Sequence, residues 1–170
     1  VHDLIRGDEK TIAERIGVGV EHVRSLQLGA KLGSVSLLAP PALARVEGSE
    51  DVFERYALIS LEELESFHVI AMDVGNRVLC EERVATGSMN TCFINPTQVY
   101  RPVVRAGGCR VVFVHKHPSG DPEPSREDVV LTNRLVAAGN TLGIEVVDHV
   151  IIGSGQYCSL LESGRLGEGK

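Results

Sequence analysis

Apolar residues recur at helical spacing through the first third of the chain, and as short β-rich runs through the rest. Residues 11–16 predict a short helix, Gly17-Val18-Gly19 a tight turn, and residues 20–32 a second helix with Val23, Leu26 and Ala30 on one face. Residues 37–48, with Pro40 and Pro41, read as a linker. Ser49 suits a helix cap with Asp51 in the first turn, and the helix continues through Val52, Tyr56 and Ile59 to about Leu64. Residues 67–73 predict a strand, Gly75-Asn76 a turn and residues 77–83 its antiparallel partner. Small residues fill 86–95, and Pro96 opens a helix through Val99, Val103 and Ala106 that ends at Gly107-Gly108. Residues 110–114 predict a buried strand, 129–138 a helix ending near Gly139-Asn140, and 144–152 a long strand. Gly153-Ser154-Gly155 is a turn, residues 157–161 a last strand, and residues 163–170 a loose tail. Strands mixed with helices give an α/β or α+β layer architecture. The expected division is a helical hairpin over 1–36, a linker over 37–48, the α+β domain over 49–162 and the tail.

Composition sharpens this in two respects. Aromatics make up 4% of the chain and Trp is absent, so the core is aliphatic. The net charge of -6 argues against a broad nucleic-acid or membrane surface. Up to Gly48 the basic residues (Arg6, Lys10, Arg15, Arg24, Lys31, Arg45) are matched by as many acidic ones, so the hairpin lacks the charge footprint of a DNA binder. Cys80, Cys92, Cys109 and Cys158 are scattered with no CxxC pair, which predicts reduced thiols and a cytoplasmic protein. No apolar run is long enough to span a bilayer, and Val1-His2-Asp3 has no signal-peptide shape. A first residue other than Met predicts a fragment or a trimmed chain.

The candidate chemistry lies between residues 115 and 128. Residues two apart on a strand point the same way, so His115 and His117 leave the strand end side by side. Pro118, Pro122, Pro124 and Gly120 exclude regular structure after them. Ser125 suits the cap of the next helix and Asp128 its first turn, so the loop can fold Asp128 back toward the imidazoles. Two imidazoles and a carboxylate are the protein half of a catalytic zinc site whose fourth position is left to water. His149 reads as a half-buried strand histidine or as a support for a ligand, with Asp148 beside it. Asp121 and Glu123 read as solvated loop charges, and His2, His22 and His68 carry no pattern.

The spacing H-x-H-P, six residues, S-x-x-D resembles the JAMM (MPN-plus) metalloprotease motif, with His115, His117, Pro118, Ser125 and Asp128 in the fixed positions. Residues 117–122 (HPSGDP) and 148–152 (DHVII) are similar to the RadC family of bacterial JAMM-domain proteins, a resemblance covering roughly residues 49–162. It implies a JAMM/MPN-type, cytidine-deaminase-like mixed β-sheet flanked by helices. It also implies one zinc per chain on His115, His117 and Asp128, and hydrolysis of a peptide or isopeptide bond in a protein substrate. Alignment on residues 67–73 assigns the general base to Glu65, with Glu62 and Glu63 as neighbours, and Ser125 becomes the donor to the oxyanion. Lys116 stands where the family usually has Asn; its side chain should point away from the neighbouring histidines, leaving a cation near the mouth of the site, and Asn95-Pro96-Thr97 departs from the usual His-Pro-Arg-Glu. The first helices match the helix-hairpin-helix of that family, which implies a weak DNA contact through Gly17 and Gly19. The rival function is a DNA-associated repair or recombination accessory factor whose JAMM domain is a scaffold. A zinc deaminase is excluded because H-x-E with P-C-x-x-C is absent, and an amidohydrolase barrel because it needs about 250 residues.

Overall fold

Ser66–Met72 (β1) is buried at every position. A strand with no polar alternation can be covered on both faces only at the middle of a sheet, between two layers. The computed structural model, which describes residues 7–38, 45–87 and 94–167, places it there. With β2 (Val78–Thr86), β3 (Arg110–Lys116), β4 (Glu145–Ile152) and β5 (Tyr157–Ser159), the sheet order is β2-β1-β3-β4-β5. β1 is antiparallel to both neighbours, β3 and β4 are parallel, and β5 turns back antiparallel on β4. The β1–β2 turn is set by Asp73, whose carboxylate accepts from the amides of Gly75 (2.8 Å) and Arg77 (3.0 Å).

Alternation along the strands sorts side chains into two layers. Phe67, Val69, Ala71, Val111 and Phe113 face α4 (Pro96–Arg105) and α5 (Arg126–Leu142), packing on Tyr100, Leu131 and Leu135. Ile70, Met72, Val112, Val114, Val150 and Ile152 face α3 (Ser49–Tyr56) and the 3-10 turn Ala57–Leu61, packing on Val52, Tyr56 and Ile59. This mixed sheet between helices is the JAMM/MPN-type arrangement expected. The same alternation sends His115 to the α5 face and Lys116 to the α3 face.

Several boundaries differ from expectation for local reasons. α5 passes through Gly139 and ends at Gly143, which takes the left-handed cap at φ 71. Gly139 serves close packing instead: a Cβ there would sit 2.5 Å from Tyr100 Oη and 2.7 Å from the Ile144 carbonyl oxygen. Ser49 is the first helical residue and Gly48 the cap. Asp51 takes the amides of Glu47 (2.7 Å) and Gly48 (3.3 Å), and the α-helix yields to the 3-10 turn after Tyr56. The tail expected to be loose is tied back, with the amides of Arg165 and Leu166 donating to the Leu160 carbonyl at 2.8 and 2.9 Å. Residues 39–44 of the expected linker, most of the small-residue stretch including Cys92, and 168–170 lie outside the described residues.

Chain contacts divide into two compact units between Pro40 and Pro41. The first holds α1 (Glu9–Ile16) and α2 (Val20–Leu38), the latter longer than its pattern predicts. Ile12, Ala13, Val20 and Val23 pack together, while Leu26, expected on the same face, is exposed. Gly17 caps α1 at φ 72 and donates to the Ala13 carbonyl, and the Gly19 carbonyl accepts from His22 and Val23. Arg24 forks onto Glu9 through Nε and Nη2, so one of the hairpin's cations is already paired. Among the described residues no helix is long and apolar enough to cross a membrane.

His68, which carried no pattern in sequence, lies buried on the α3 face, with Nε2 3.1 Å from Ser66 Oγ and its ring edge-on to Tyr56. Burial, with Arg83 nearby, lowers its pKa to about 3. The unfolded ring takes up a proton near pH 6.5 that the folded ring refuses, so this contribution is complete above pH 6.5 and is lost as pH falls toward 3. His68 alone is expected to contribute a loss of about 2 kcal/mol between pH 7 and pH 5 in urea unfolding, seen as a flatter pH slope in His68→Phe. An unchanged slope in that variant removes His68 as the cause.

Candidate metal centre

The site is built where β3 runs out. His115 lies in register with Phe67 of β1 and Ile151 of β4, which holds its backbone from both sides. His117 follows one residue past the strand, its amide donating to the Ile152 carbonyl at 3.1 Å. Gly120, at φ 80 and pressed against Ser154, then turns the chain sharply. The loop delivers Ser125 as N-cap of α5 in a capping box: Ser125 Oγ accepts from the Asp128 amide (3.1 Å), and Asp128 Oδ2 accepts from the Ser125 amide (2.8 Å). That reciprocal pair aims Asp128 back at the strand tip.

His115, His117 and Asp128 converge, each offering one ligand atom, with all three atoms within 4.8 Å of one another. Asp128 Oδ2 is 3.3 Å from His117 Nε2, and Oδ1 is 2.9 Å from His115 Nδ1, the latter out of line for a hydrogen bond. His117 Nδ1 lies 2.8 Å from the Asp121 carbonyl, which can only accept, so the proton is on Nδ1 and the neutral ring turns a lone pair toward Asp128. His115 Nε2 lies 2.7 Å from Glu65 Oε1, so its neutral ring likewise leaves a lone pair on the side facing Asp128. Lone pairs on three sides of one buried point repel unless a cation or a proton lies between them. Donation of the other ring nitrogen to a carbonyl or carboxylate is also how metal-bound imidazoles are held. The donor set therefore fits a divalent metal ion.

The protonation states of the bare protein reflect the same crowding. Burial pushes the Asp128 carboxyl up, but the His115 and His117 rings and the Ser125 hydroxyl outweigh it and hold it well below the carboxylate range. Burial pushes His115 down, and Asp128 with Glu65 outweighs that, raising it.

A family profile described as RadC-like JAB domain matches residues 46–165. A UPF0758 protein of Caldanaerobacter subterraneus subsp. tengcongensis is 36% identical over 167 residues, covering 95% of this chain and 70% of that protein. One from Methanosarcina mazei is 39% identical over 121 residues, covering 71% and 53%, and one from Trichlorobacter lovleyi is 48% identical over 102 residues, covering 60% and 44%. The chain belongs to the RadC-like JAB domain family. It spans between 44% and 70% of the length of these three relatives.

Within this RadC-like domain the other expected site residues are placed differently from one another. Glu65 enters on the α5 side, just before β1, and reaches His115 across 50 residues of sequence. Ser125 caps α5 and directs its single hydroxyl proton at Asp128 Oδ2 (2.5 Å), which holds the carboxylate. Lys116 points away from the histidines as expected, but its cation is not at the mouth. It is 3% exposed on the α3 face, away from the mouth, with Nζ donating to the Glu62 carbonyl and its pKa lowered by burial. His149 is fully buried rather than half-buried, and burial lowers its pKa to about 3. Asp148 does not serve the His149 ring. It turns to the other face, where it accepts from Ser159 Oγ (2.6 Å) and the Leu161 amide (3.0 Å). Thr132 and the Asp121 carbonyl went unnoticed in the sequence. Thr132 had one available signal, its place one helical turn after Asp128.

Proposed function

We propose that this chain is a zinc-dependent hydrolase of peptide or isopeptide bonds, the expectation raised by its motif. The observation that carries it is the convergence of three ligand atoms beside the carboxylate of Glu65, the residue just before β1. Two imidazoles and one carboxylate suit zinc and leave a fourth position for water. A bound zinc ion supplies a water acidified toward neutral pH and a polarised carbonyl. Glu65 accepts the water proton and passes it to the leaving amine, as general base and then general acid. Ser125 holds Asp128, and the positive end of α5 favours that carboxylate. The substrate is a peptide or protein.

The test is metal reconstitution of the intact chain followed by elemental analysis and incubation with a peptide library. About one equivalent of zinc and zinc-dependent cleavage are expected. A folded protein holding less than about 0.2 equivalents overturns the proposal.

A further inference from the structure

Thr132 Oγ1 lies 2.6 Å from the Asp128 carbonyl oxygen and 2.6 Å from His149 Nδ1. The carbonyl can only accept, and a hydroxyl has one proton, so Thr132 donates to Asp128. Its remaining bond must be accepted, which makes Nδ1–H of His149 the donor at any ring protonation. A directed chain therefore runs from β4 to the first turn of α5: His149 Nδ1–H to Thr132 Oγ, and Thr132 O–H to the residue that carries the ligand carboxylate. The same His149 ring lies parallel to the His115 ring, with centroids 5.9 Å apart and planes 13° apart. Phe67 and Phe113 meet it edge-on from the core.

His149 thus touches the elements that carry two of the three ligands. A hydrocarbon ring would fill this apolar space without leaving Nε2 buried and unpartnered, as it is here. The histidine supplies the one thing a phenyl ring lacks, the donor to Thr132.

We infer that His149 and Thr132 are positioning residues that fix the separation of Asp128 from His115 and thereby set the affinity of the site for its metal. This rests on the metal-site reading above. The test is zinc competition against a chromophoric chelator, using the intact chain as wild type, Thr132→Val, Thr132→Ser and His149→Phe, with unfolding temperatures of the metal-free proteins measured alongside. Thr132→Val and His149→Phe are expected to bind zinc about 10- to 100-fold more weakly. Thr132→Ser restores wild-type affinity, which a purely volumetric role for Thr132 does not predict. Nitrogen-detected histidine spectra of the metal-free wild type are expected to show His149 protonated at Nδ1. If His149→Phe does not fold, the Val and Ser pair decides. Wild-type affinity in Thr132→Val, or a proton on Nε2 and none on Nδ1, overturns this inference and leaves the metal site standing. No zinc uptake by the wild type overturns both.

Discussion

A Glu65→Gln protein is expected to load zinc as the wild type does and to cleave peptide about 10²- to 10⁴-fold more slowly. The substitution keeps size and hydrogen-bonding reach and removes the capacity to take a proton. Glu65 has two conceivable duties at its 2.7 Å contact with His115 Nε2: orienting that ring, or handling the proton of an attacking water. They separate when this variant is set beside Glu65→Ala, which also removes the hydrogen-bond acceptor. A carboxylate that only orients a ligand lowers metal affinity about 10- to 100-fold when it is lost, because the ring's tautomer and angle are released. A general base leaves affinity alone and removes rate. The half-buried setting of the side chain favours the second, since a proton acceptor must meet water. Single-turnover cleavage together with chelator competition reads both quantities on one sample. Unchanged cleavage removes Glu65 from the chemistry.

Asp128→Asn carries the largest expected loss of metal, more than about 100-fold in affinity, since a ligand and not merely its support is changed. Asparagine still accepts the Ser125 amide that Asp128 takes at 2.8 Å, so the cap of α5 survives and the protein folds. What disappears is the negative charge, 4% exposed, that faces two imidazoles. The wild type should gain thermal stability when zinc is added, because the ion binds the folded state alone. The variant should show no such gain. A zinc-induced rise in melting temperature equal to that of the wild type means that the ion sits elsewhere.

The linear order of residues determined the strand tip and the capped turn. His115 and His117 share a face because the strand period is two, and Asp128 lies three residues after Ser125 because a capping box requires that spacing. These are local rules, complete within about fifteen residues of chain, and they bring His115, His117 and Asp128 together. Where a local signal was ambiguous, packing decided. Gly139 looks like a helix end in sequence, but α5 runs on to Leu142, and the glycine instead leaves room for Tyr100.

The remainder was decided only when distant segments paired. Antiparallel pairing of β1 with β3 sets Ser66 opposite Lys116, and so carries the residue before β1 to the histidines at the end of β3. Parallel pairing of β3 with β4 brings His149 level with Phe113, where its ring can reach both His115 and Thr132. Burial of Lys116 behind the sheet, rather than at the mouth, follows from α3 and the turn after it covering that face. Register between strands far apart in the chain is fixed by the joint packing of both sheet faces, a property of no single stretch of residues.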